Sequence, residues 1–279
     1  MIQLFLTLFL SLSAQTFEGQ RIVCVGGPVT EIVFALGGGD QVVGVDTSSN
    51  FPDAVEALPT VGYQRRLSAE GVLSLSPDLV IADAAAGPPE ALEQIRSAGV
   101  RIYVVPENNT FKGAQEKIRY VASALGLGTA AEQVIRDLKE DIKVARRNMG
   151  DEPKPKVVFI YARGSGTLLI SGHNTAANAI IDLAGGVNAI SGYEGYKPLT
   201  AEAMVAAEPD LLLMMESGLE VFGGKEAVLN APGVRQTPAG KHKRIVTMDG
   251  LYLLGFGPRL GKAVTELSQH FRLALIETR

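Results

Sequence analysis

The chain is poor in the side chains that most often bind metal ions or perform covalent chemistry. Its 279 residues include one cysteine, three histidines and no tryptophan. A single cysteine excludes a disulfide framework, a CxxC pair and a thiolate metal cluster. The histidines stand far apart, at 173, 242 and 270, so they offer no histidine-rich site for a divalent cation.

An excess of positive charge and the motifs of common enzymes are also missing. The formal net charge is −4, which gives no support to binding of nucleic acid or of an anionic membrane. The glycines after the first predicted strand lack GxGxxG spacing, and the sequence contains no P-loop, GxSxG elbow or Cys–His pair. We therefore expect a binding protein rather than an enzyme, with no nucleic-acid partner.

The one cysteine, Cys24, lies in an apolar run over residues 21–25 that is typical of a buried strand. A cysteine in such a run is usually a packing residue rather than a reactive thiol. The residues before Cys24 do not resemble a lipoprotein cleavage site, so we do not expect it to carry a lipid anchor.

The most apolar segment of the chain is its N-terminus. Residues 1–14 are apolar over a length too short to span a bilayer, and small residues follow. This pattern predicts a signal peptide, a mature chain that begins near Gln15, and a periplasmic location. The run contains no Lys or Arg, and the alternative interpretation is a first core strand or helix. No later segment is long and apolar enough to cross a membrane.

One pattern occurs twice. The run LSAEGVLSLSPDLVI at 67–81 returns as LTAEAMVAAEPDLLL at 199–213, with the same Leu, Ala, Glu, Pro, Asp and Leu at the same spacings. Each copy predicts a short helix that begins after Ser or Thr, a Pro-Asp break and then a buried strand. Two copies indicate two lobes of one architecture, and two such lobes form a cleft that can hold a ligand.

The rest of the chain supports this plan. Strands and helices alternate over residues 20–128 and again over 152–279, which predicts two Rossmann-like α/β lobes with parallel sheets. Between them, Thr129 and Glu132 fit a capping box, and an apolar stripe follows at helical spacing. Residues 129–149 are therefore predicted to form one long, stiff connecting helix.

Two similar loops follow strands of the two lobes. Residues 27–30 (Gly-Pro-Val-Thr) precede the first helix, and residues 172–175 (Gly-His-Asn-Thr) precede a helix of the second lobe. Open α/β sheets bind ligands at the edge where strands end and helices begin. By this analogy the loops at Pro28, Tyr63, His173 and Tyr196 are predicted to face a shared cleft.

Tyr63 is the residue most suited to binding chemistry. It lies two residues before Arg65 and three before Arg66, in a predicted loop after Pro59. A phenol ionises poorly at neutral pH, and a neighbouring guanidinium favours the phenolate. A phenolate oxygen suits ferric iron, and Tyr is an axial ligand of some haems. The alternative is a surface tyrosine beside solvated arginines.

The run VGYQRRLSAEGVLSL at 61–75 closely resembles the signature of periplasmic haem-binding proteins of bacterial haem ABC importers. Three more segments are similar to this family: NTAA at 174–177, GYKPLTAEA at 195–203 and GLYLLGFGPR at 250–259. The resemblance extends from about residue 20 to the end. It implies the class III periplasmic binding protein fold, a plan shared with cobalamin and siderophore carriers, which remain the alternative function.

The resemblance implies roles for individual residues. Tyr63 becomes the axial ligand of the haem iron, while Arg65 or Arg66 tunes that ligand or pairs with a propionate. Arg259 also suits a propionate, although it equally fits a surface position on the first turn of the last helix.

Two residues of the second lobe receive roles in the same way. His173 becomes a second ligand, to the same iron or to a second stacked haem, and Tyr196 stacks on the porphyrin or forms a hydrogen bond in the cleft. The alternatives are a structural or solvated histidine and ordinary loop packing of the tyrosine.

Glu70 and Glu202 occupy matched positions in the two repeats. The resemblance implies that each forms a salt bridge with an arginine of an inner-membrane ABC permease, which works with an ATPase. A glutamate in a first helical turn is also favoured by the helix dipole alone. The expected protein is a monomer that carries haem and has no turnover of its own.

Overall fold

A computed structural model describes residues 19–149, 153–163 and 166–276. The predicted signal peptide at 1–14 lies outside the described residues. The strands are β1 (Ile22–Val25), β2 (Val42–Val45), β3 (Gly62–Tyr63), β4 (Arg66–Leu67), β5 (Leu79–Asp83), β6 (Arg101–Val105), β7 (Lys156–Arg163), β8 (Thr167–Ser171), β9 (Val187–Asn188), β10 (Tyr196–Pro198), β11 (Leu211–Met215) and β12 (Ile245–Met248).

The helices alternate with these strands. They are α1 (Gly27–Ala35), α2 (Ala69–Leu73), α3 (Pro89–Ser97), α4 (Phe111–Leu125), α5 (Gly128–Met149), α6 (Ala176–Leu183), α7 (Ala201–Ala207), α8 (Glu216–Phe222), α9 (Gly224–Leu229), α10 (Pro238–Lys241), α11 (Gly250–Leu254) and α12 (Leu260–Ile276). None of the helices in the described part of the chain combines the length and the apolar character that a membrane crossing requires.

The first sheet has the order β2-β1-β5-β6, and all of its neighbouring strands are parallel. Its central strand β1 is buried throughout, and Cys24 within it is fully buried, as the apolar run predicts. Burial raises the pKa of the Cys24 thiol, which keeps the sulfur protonated and unreactive. The predicted α/β architecture of this half is confirmed.

The second sheet has the order β10-β8-β7-β11-β12, with β9 also paired to β7. Strands β9, β11 and β12 run parallel to β7, whereas β8 pairs antiparallel with both of its neighbours, β7 and β10. The predicted α/β architecture of this half is confirmed, and its parallel strands carry an antiparallel edge at β8 and β10. The connection between β7 and β8 is too short for the crossover that a parallel pair requires.

The two copies of the repeat have the same hydrogen bonds. Ser68 and Thr200 cap α2 and α7 through their hydroxyl oxygens, as predicted. The backbone N–H of Arg21 donates to Asp78 Oδ2 at 2.8 Å, and the N–H of Lys156 donates to Asp210 Oδ2 at 2.8 Å. The repeated aspartate therefore holds the start of the adjacent parallel strand in both halves.

Helix α5 joins the two halves and packs against α4 and α12. Its buried stripe contains Ile135, Leu138, Ile142 and Ala145, each at most 2% exposed, which matches the predicted apolar face. One hydrophobic cluster combines α5 and α12 with residues of β1, such as Ile22, and of β7, such as Phe159. The halves thus share a continuous core.

Candidate functional site

A cavity of about 690 Å³ lies between the carboxyl ends of the two sheets, and we call it the interlobe cavity. Its first wall is formed by the loops that come after β1, β2 and β3, and its second wall by the segments at the ends of β11 and β12. The first wall contains Gly27, Pro28, Ser48, Asn50, Tyr63 and Gln64. The second wall includes Met215, Glu216, Ser217, Glu220, Asp249 and Leu251. This is the edge at which open α/β sheets bind ligands.

Tyr63 reaches the cavity from a two-strand hairpin. Strands β3 and β4 pair Gly62 with Leu67 and Tyr63 with Arg66, so only Gln64 and Arg65 form the turn. Buried Leu67 anchors the hairpin, and the Gly62 carbonyl accepts a hydrogen bond from the N–H of Thr47 at 2.9 Å. The Tyr63 side chain is 45% exposed, so its phenol is available to a ligand.

The two arginines of the hairpin have different positions relative to Tyr63. Arg66 stands directly opposite Tyr63, where side chains of an antiparallel pair lie on the same face. Arg65 belongs to the turn. Both are exposed, and neither lines the interlobe cavity. Within the described ranges neither guanidinium forms a side-chain hydrogen bond or an ion pair, so both stay available at the rim.

Asp46, which sequence reasoning missed, shapes the first wall. Its buried carboxylate accepts hydrogen bonds from Gly26 N at 2.7 Å, from Ser48 Oγ at 2.6 Å and from Ser49 Oγ at 2.8 Å. These bonds hold the loops after β1 and β2 together, which positions Pro28 and Ser48 in the cavity. The signal was an aspartate directly after an apolar strand.

The second wall is acidic, and this too was not predicted. Glu216 and Glu220 project from α8, and Asp249 precedes α11. Asp249 Oδ1 caps α11 by accepting from Tyr252 N at 2.8 Å, and its Oδ2 lies 3.5 Å from Asn50 Nδ2 of the opposite wall. No lysine or arginine is among the described residues that line the cavity. The second wall therefore disfavours anionic groups.

Arg259 forms an ion pair with Glu31 and is not among the residues that line the cavity. The guanidinium donates to Glu31 through Nε at 2.9 Å and Nη2 at 3.0 Å, and it stacks on the Phe51 ring with 3.6 Å to the ring centre. The neighbouring Tyr252 ring lies at 4.9 Å. Glu31 thus occupies Nε and Nη2, so the predicted propionate contact of Arg259 would use the remaining N–H groups of the guanidinium.

His173 and Tyr196 lie outside the lining of the interlobe cavity. His173 is exposed in the loop after β8, where its backbone N–H donates to the backbone carbonyl of Tyr193 at 2.8 Å. Tyr196 packs beside the Tyr161 ring, with 5.8 Å between ring centres, and burial raises the pKa of its phenol. The structure thus joins Pro28 with Tyr63, as expected, and leaves the other two loops apart from them.

The direction of β8 explains this separation. The ligand-binding edge is defined by the carboxyl ends of parallel strands. Because β8 is antiparallel to β7 and pairs Ile170 with Ile160, the loop after Ser171 leaves from the middle of β7 rather than from its carboxyl end.

Glu70 and Glu202 are exposed at the second residue of α2 and of α7. Neither carboxylate has an ion pair or a hydrogen bond in the portion of the chain that the structure describes. Both therefore remain available to a cationic partner, at equivalent places in the two halves.

The comparisons with known proteins agree with this architecture. The model of the periplasmic binding protein family matches residues 22–252. The chain belongs to the periplasmic binding protein family. Among solved structures of the same architecture, the periplasmic heme-binding protein RhuT from Roseiflexus sp. RS-1 is 47% identical with a TM-score of 0.89, covering 91% of this chain and 98% of RhuT.

A second similar structure is the periplasmic heme-binding protein BhuT in complex with two hemes, which is 43% identical with a TM-score of 0.87 over 92% of this chain and 99% of BhuT. Among curated relatives, the ABC transporter substrate-binding lipoprotein YvrC of Bacillus subtilis is 29% identical over 90% of this chain and 80% of YvrC. A vitamin B12-binding protein of Vibrio vulnificus is 24% identical over 95% of both chains. The family and these relatives are substrate-binding proteins of transport systems.

Proposed function

We propose that this chain is a periplasmic substrate-binding protein that captures haem in the interlobe cavity and delivers it to an inner-membrane ABC importer. The observation that carries the proposal is the exposed phenol of Tyr63 on the cavity wall, beside Arg66 and in a chain similar to heme-binding proteins. A phenolate oxygen is an established axial ligand of haem iron. Binding is passive, without catalytic turnover.

The charges around the cavity orient the haem. Glu216, Glu220 and Asp249 make the second wall unfavourable for the two propionates. Arg65 and Arg66 are exposed at the rim and suit carboxylates. The propionates therefore point outward toward the arginines, while the porphyrin ring enters between the walls and the iron meets Tyr63.

Three further contacts are part of the proposal. His173 as a second ligand requires the loop over residues 172–175 to approach the cavity, and Tyr196 requires the same movement to contact the porphyrin. Arg259 meets a propionate through the N–H groups that Glu31 leaves unoccupied. Tyr63 with Arg66 needs no such rearrangement, so we give it the leading role in a one-to-one complex.

Delivery to the importer depends on one exposed glutamate in each half of the molecule. Glu70 and Glu202, one on each half, dock to arginines of the permease, and the lobes over 20–128 and 152–279 act as one monomeric carrier. Residues 1–14 direct export. The double variant Glu70→Ala with Glu202→Ala is expected to bind hemin as the wild type does and to abolish uptake in a reconstituted importer. Uptake at the wild-type rate would exclude this docking mode.

The decisive experiment is an absorption titration with hemin on the wild type and on the variants Tyr63→Phe and His173→Ala. The wild type is expected to give a high-spin ferric spectrum typical of tyrosinate ligation, which Tyr63→Phe loses. Tyr103→Phe is a matched control, because Tyr103 is not among the residues that line the cavity. An unchanged spectrum in Tyr63→Phe would refute Tyr63 as the ligand.

The second candidate function is transport of cobalamin or a siderophore, and the similarity to a vitamin B12-binding protein favours it. Such a carrier would bind cyanocobalamin, show no Soret shift on hemin addition and be indifferent to Tyr63→Ala. Calorimetry with cyanocobalamin on the wild type separates the two functions directly.

A further inference from the structure

A second and larger cavity, of about 780 Å³, lies outside the interlobe cavity, and we call it the side groove. It is bounded by the start of α4, the last turns of α5 and α12, the approach to β7 and one face of α6. It shares no lining residue with the interlobe cavity. The proposed haem site therefore leaves it unexplained.

The floor of the side groove is apolar. Phe271 is 3% exposed, and the partly exposed Leu183, Ala179 and Leu275 extend this surface, with Phe111 at one end. A small-molecule site is usually a concave, mostly apolar cavity with a volume of several hundred cubic ångströms. Such a surface favours a ligand with a hydrocarbon or ring body.

The rim of the side groove is cationic. Arg146, Lys154 and Arg272 are exposed around it, and Asp182 is the one carboxylate among the described residues that line the groove. The two arginines form neither an ion pair nor a hydrogen bond within the described ranges. The protein as a whole carries a net charge of −4, so this positive rim opposes the global charge. Guanidinium groups at such a rim suit carboxylates.

Polar groups complete the wall. Asn178 Nδ2 donates to Asp182 Oδ2 at 3.2 Å, and both side chains belong to α6. Burial raises the pKa of the Asp182 carboxyl even though Lys154 acts in the opposite direction.

We propose that the side groove binds an amphipathic carboxylate, with its apolar body on Leu183, Phe271 and Leu275 and its acidic head between Arg146 and Arg272. No Tyr, His, Cys or Met is among the described residues that line the groove. It offers no haem-iron ligand of those types. This site is therefore chemically distinct from that around Tyr63, and its ligand needs no metal.

The test uses the full-length mature protein without hemin and two probes: 1-anilinonaphthalene-8-sulfonate by fluorescence and dodecanoate by calorimetry. Dodecanol is the uncharged control. We expect saturable binding of dodecanoate that displaces the dye, and little binding of dodecanol. The double variant Arg146→Gln with Arg272→Gln should weaken dodecanoate by roughly tenfold or more, as loss of two charge-assisted contacts implies.

A matched control removes two cations from the same helices but outside the groove. Arg136→Gln with Lys262→Gln changes the net charge equally and should leave dodecanoate affinity within about twofold. Ala179→Trp should block the groove while keeping every charge. All three variants should retain the hemin spectrum of the wild type, and Tyr63→Ala should retain dodecanoate binding.

Three results would overturn the proposal. They are the absence of saturable dodecanoate binding, equal weakening in the groove pair and the control pair, and binding of anionic phospholipid vesicles with none of the free carboxylate. The third result would identify a membrane-binding surface instead. Because the Arg variants change exposed side chains, their folded state can be verified by circular dichroism before titration.

Discussion

Glu31 of α1 and Arg259, just before α12, form a bidentate ion pair that joins the two halves of the molecule. The carboxylate is 4% exposed and the guanidinium 22%. The backbone N–H of Arg259 also lies 3.3 Å from Glu31 Oε1. Nearby, Lys117 of α4 donates from Nζ to the Gly255 carbonyl at 3.1 Å. Both contacts hold the segment that follows β12 against the first half, and Gly255 of that segment lines the interlobe cavity.

Glu31→Gln is expected to destabilise the protein, because it leaves the Arg259 guanidinium without its carboxylate in a largely buried site. Removing one partner of a buried pair costs about 3–5 kcal/mol, and the partial exposure of Arg259 reduces this to about 1–3 kcal/mol. The measurement is the urea midpoint at constant slope. Glu132→Gln, which breaks the exposed pair with Arg119, is the control and should leave the midpoint unchanged. Equal midpoints for the two variants would show that the interlobe pair contributes no more than a surface pair.

Lys117 predicts a pH dependence. Burial lowers the pKa of its amine below the ordinary 10.5, so between the folded pKa and 10.5 the unfolded chain binds more protons than the folded one. The free energy of unfolding contributed by Lys117 must therefore rise with pH across this window. Lys117→Met should remove that rise. Urea denaturation of both proteins from neutral pH to pH 10.5 measures the difference, and parallel curves would contradict the assignment.

The repeated aspartates should contribute equally to stability. Asp78→Ala and Asp210→Ala each remove one carboxylate acceptor for a backbone N–H at the same place in the two halves. Each loss should cost about 0.5–1.5 kcal/mol, and the double variant should show the sum because the sites do not touch. A strongly unequal pair of values would show that the two aspartates contribute differently to stability despite their common geometry.

The hairpin predicts unequal roles for the two arginines next to Tyr63. Arg66 is the cross-strand neighbour of Tyr63, while Arg65 belongs to the turn. If haem is the ligand, Arg66→Gln should weaken hemin binding by roughly tenfold, corresponding to about 1.4 kcal/mol, and should shift the Soret band. Arg65→Gln should have the smaller effect. Absorption titrations of both variants under one buffer condition decide the order, and a larger loss in Arg65→Gln would reverse it.

Long, strongly patterned elements could be predicted from the sequence. Helix α5 is the connecting helix predicted for residues 129–149, with the predicted buried apolar stripe, and β11 is the strand predicted at the end of the second repeat. The hairpin of β3 and β4 could not be predicted, because two-residue strands contain too few residues to show a period. The short helices α8 and α11 were missed for the same reason, and with them the acidic wall of Glu216 and Asp249.

The candidate site was predictable only where the rule for parallel strands applies. Pro28 and Tyr63 lie at the expected edge, and both line the interlobe cavity. His173 follows a strand whose direction depends on a short connection, so its sequence pattern resembles that of a parallel strand while its position differs. The ion pair between Arg259 and Glu31 could not be predicted from the sequence, because the two residues lie far apart along the chain.

The shared core around α5 has a consequence for how this molecule could change over evolutionary time. Because Ile22 of β1 and Phe159 of β7 belong to one hydrophobic cluster, neither half buries all of its apolar residues by itself. A recombinant that replaced one half with that of a distant relative would expose or overfill the seam along the helix. New cargo preferences should therefore arise by exchange of rim and wall side chains, not by shuffling of halves.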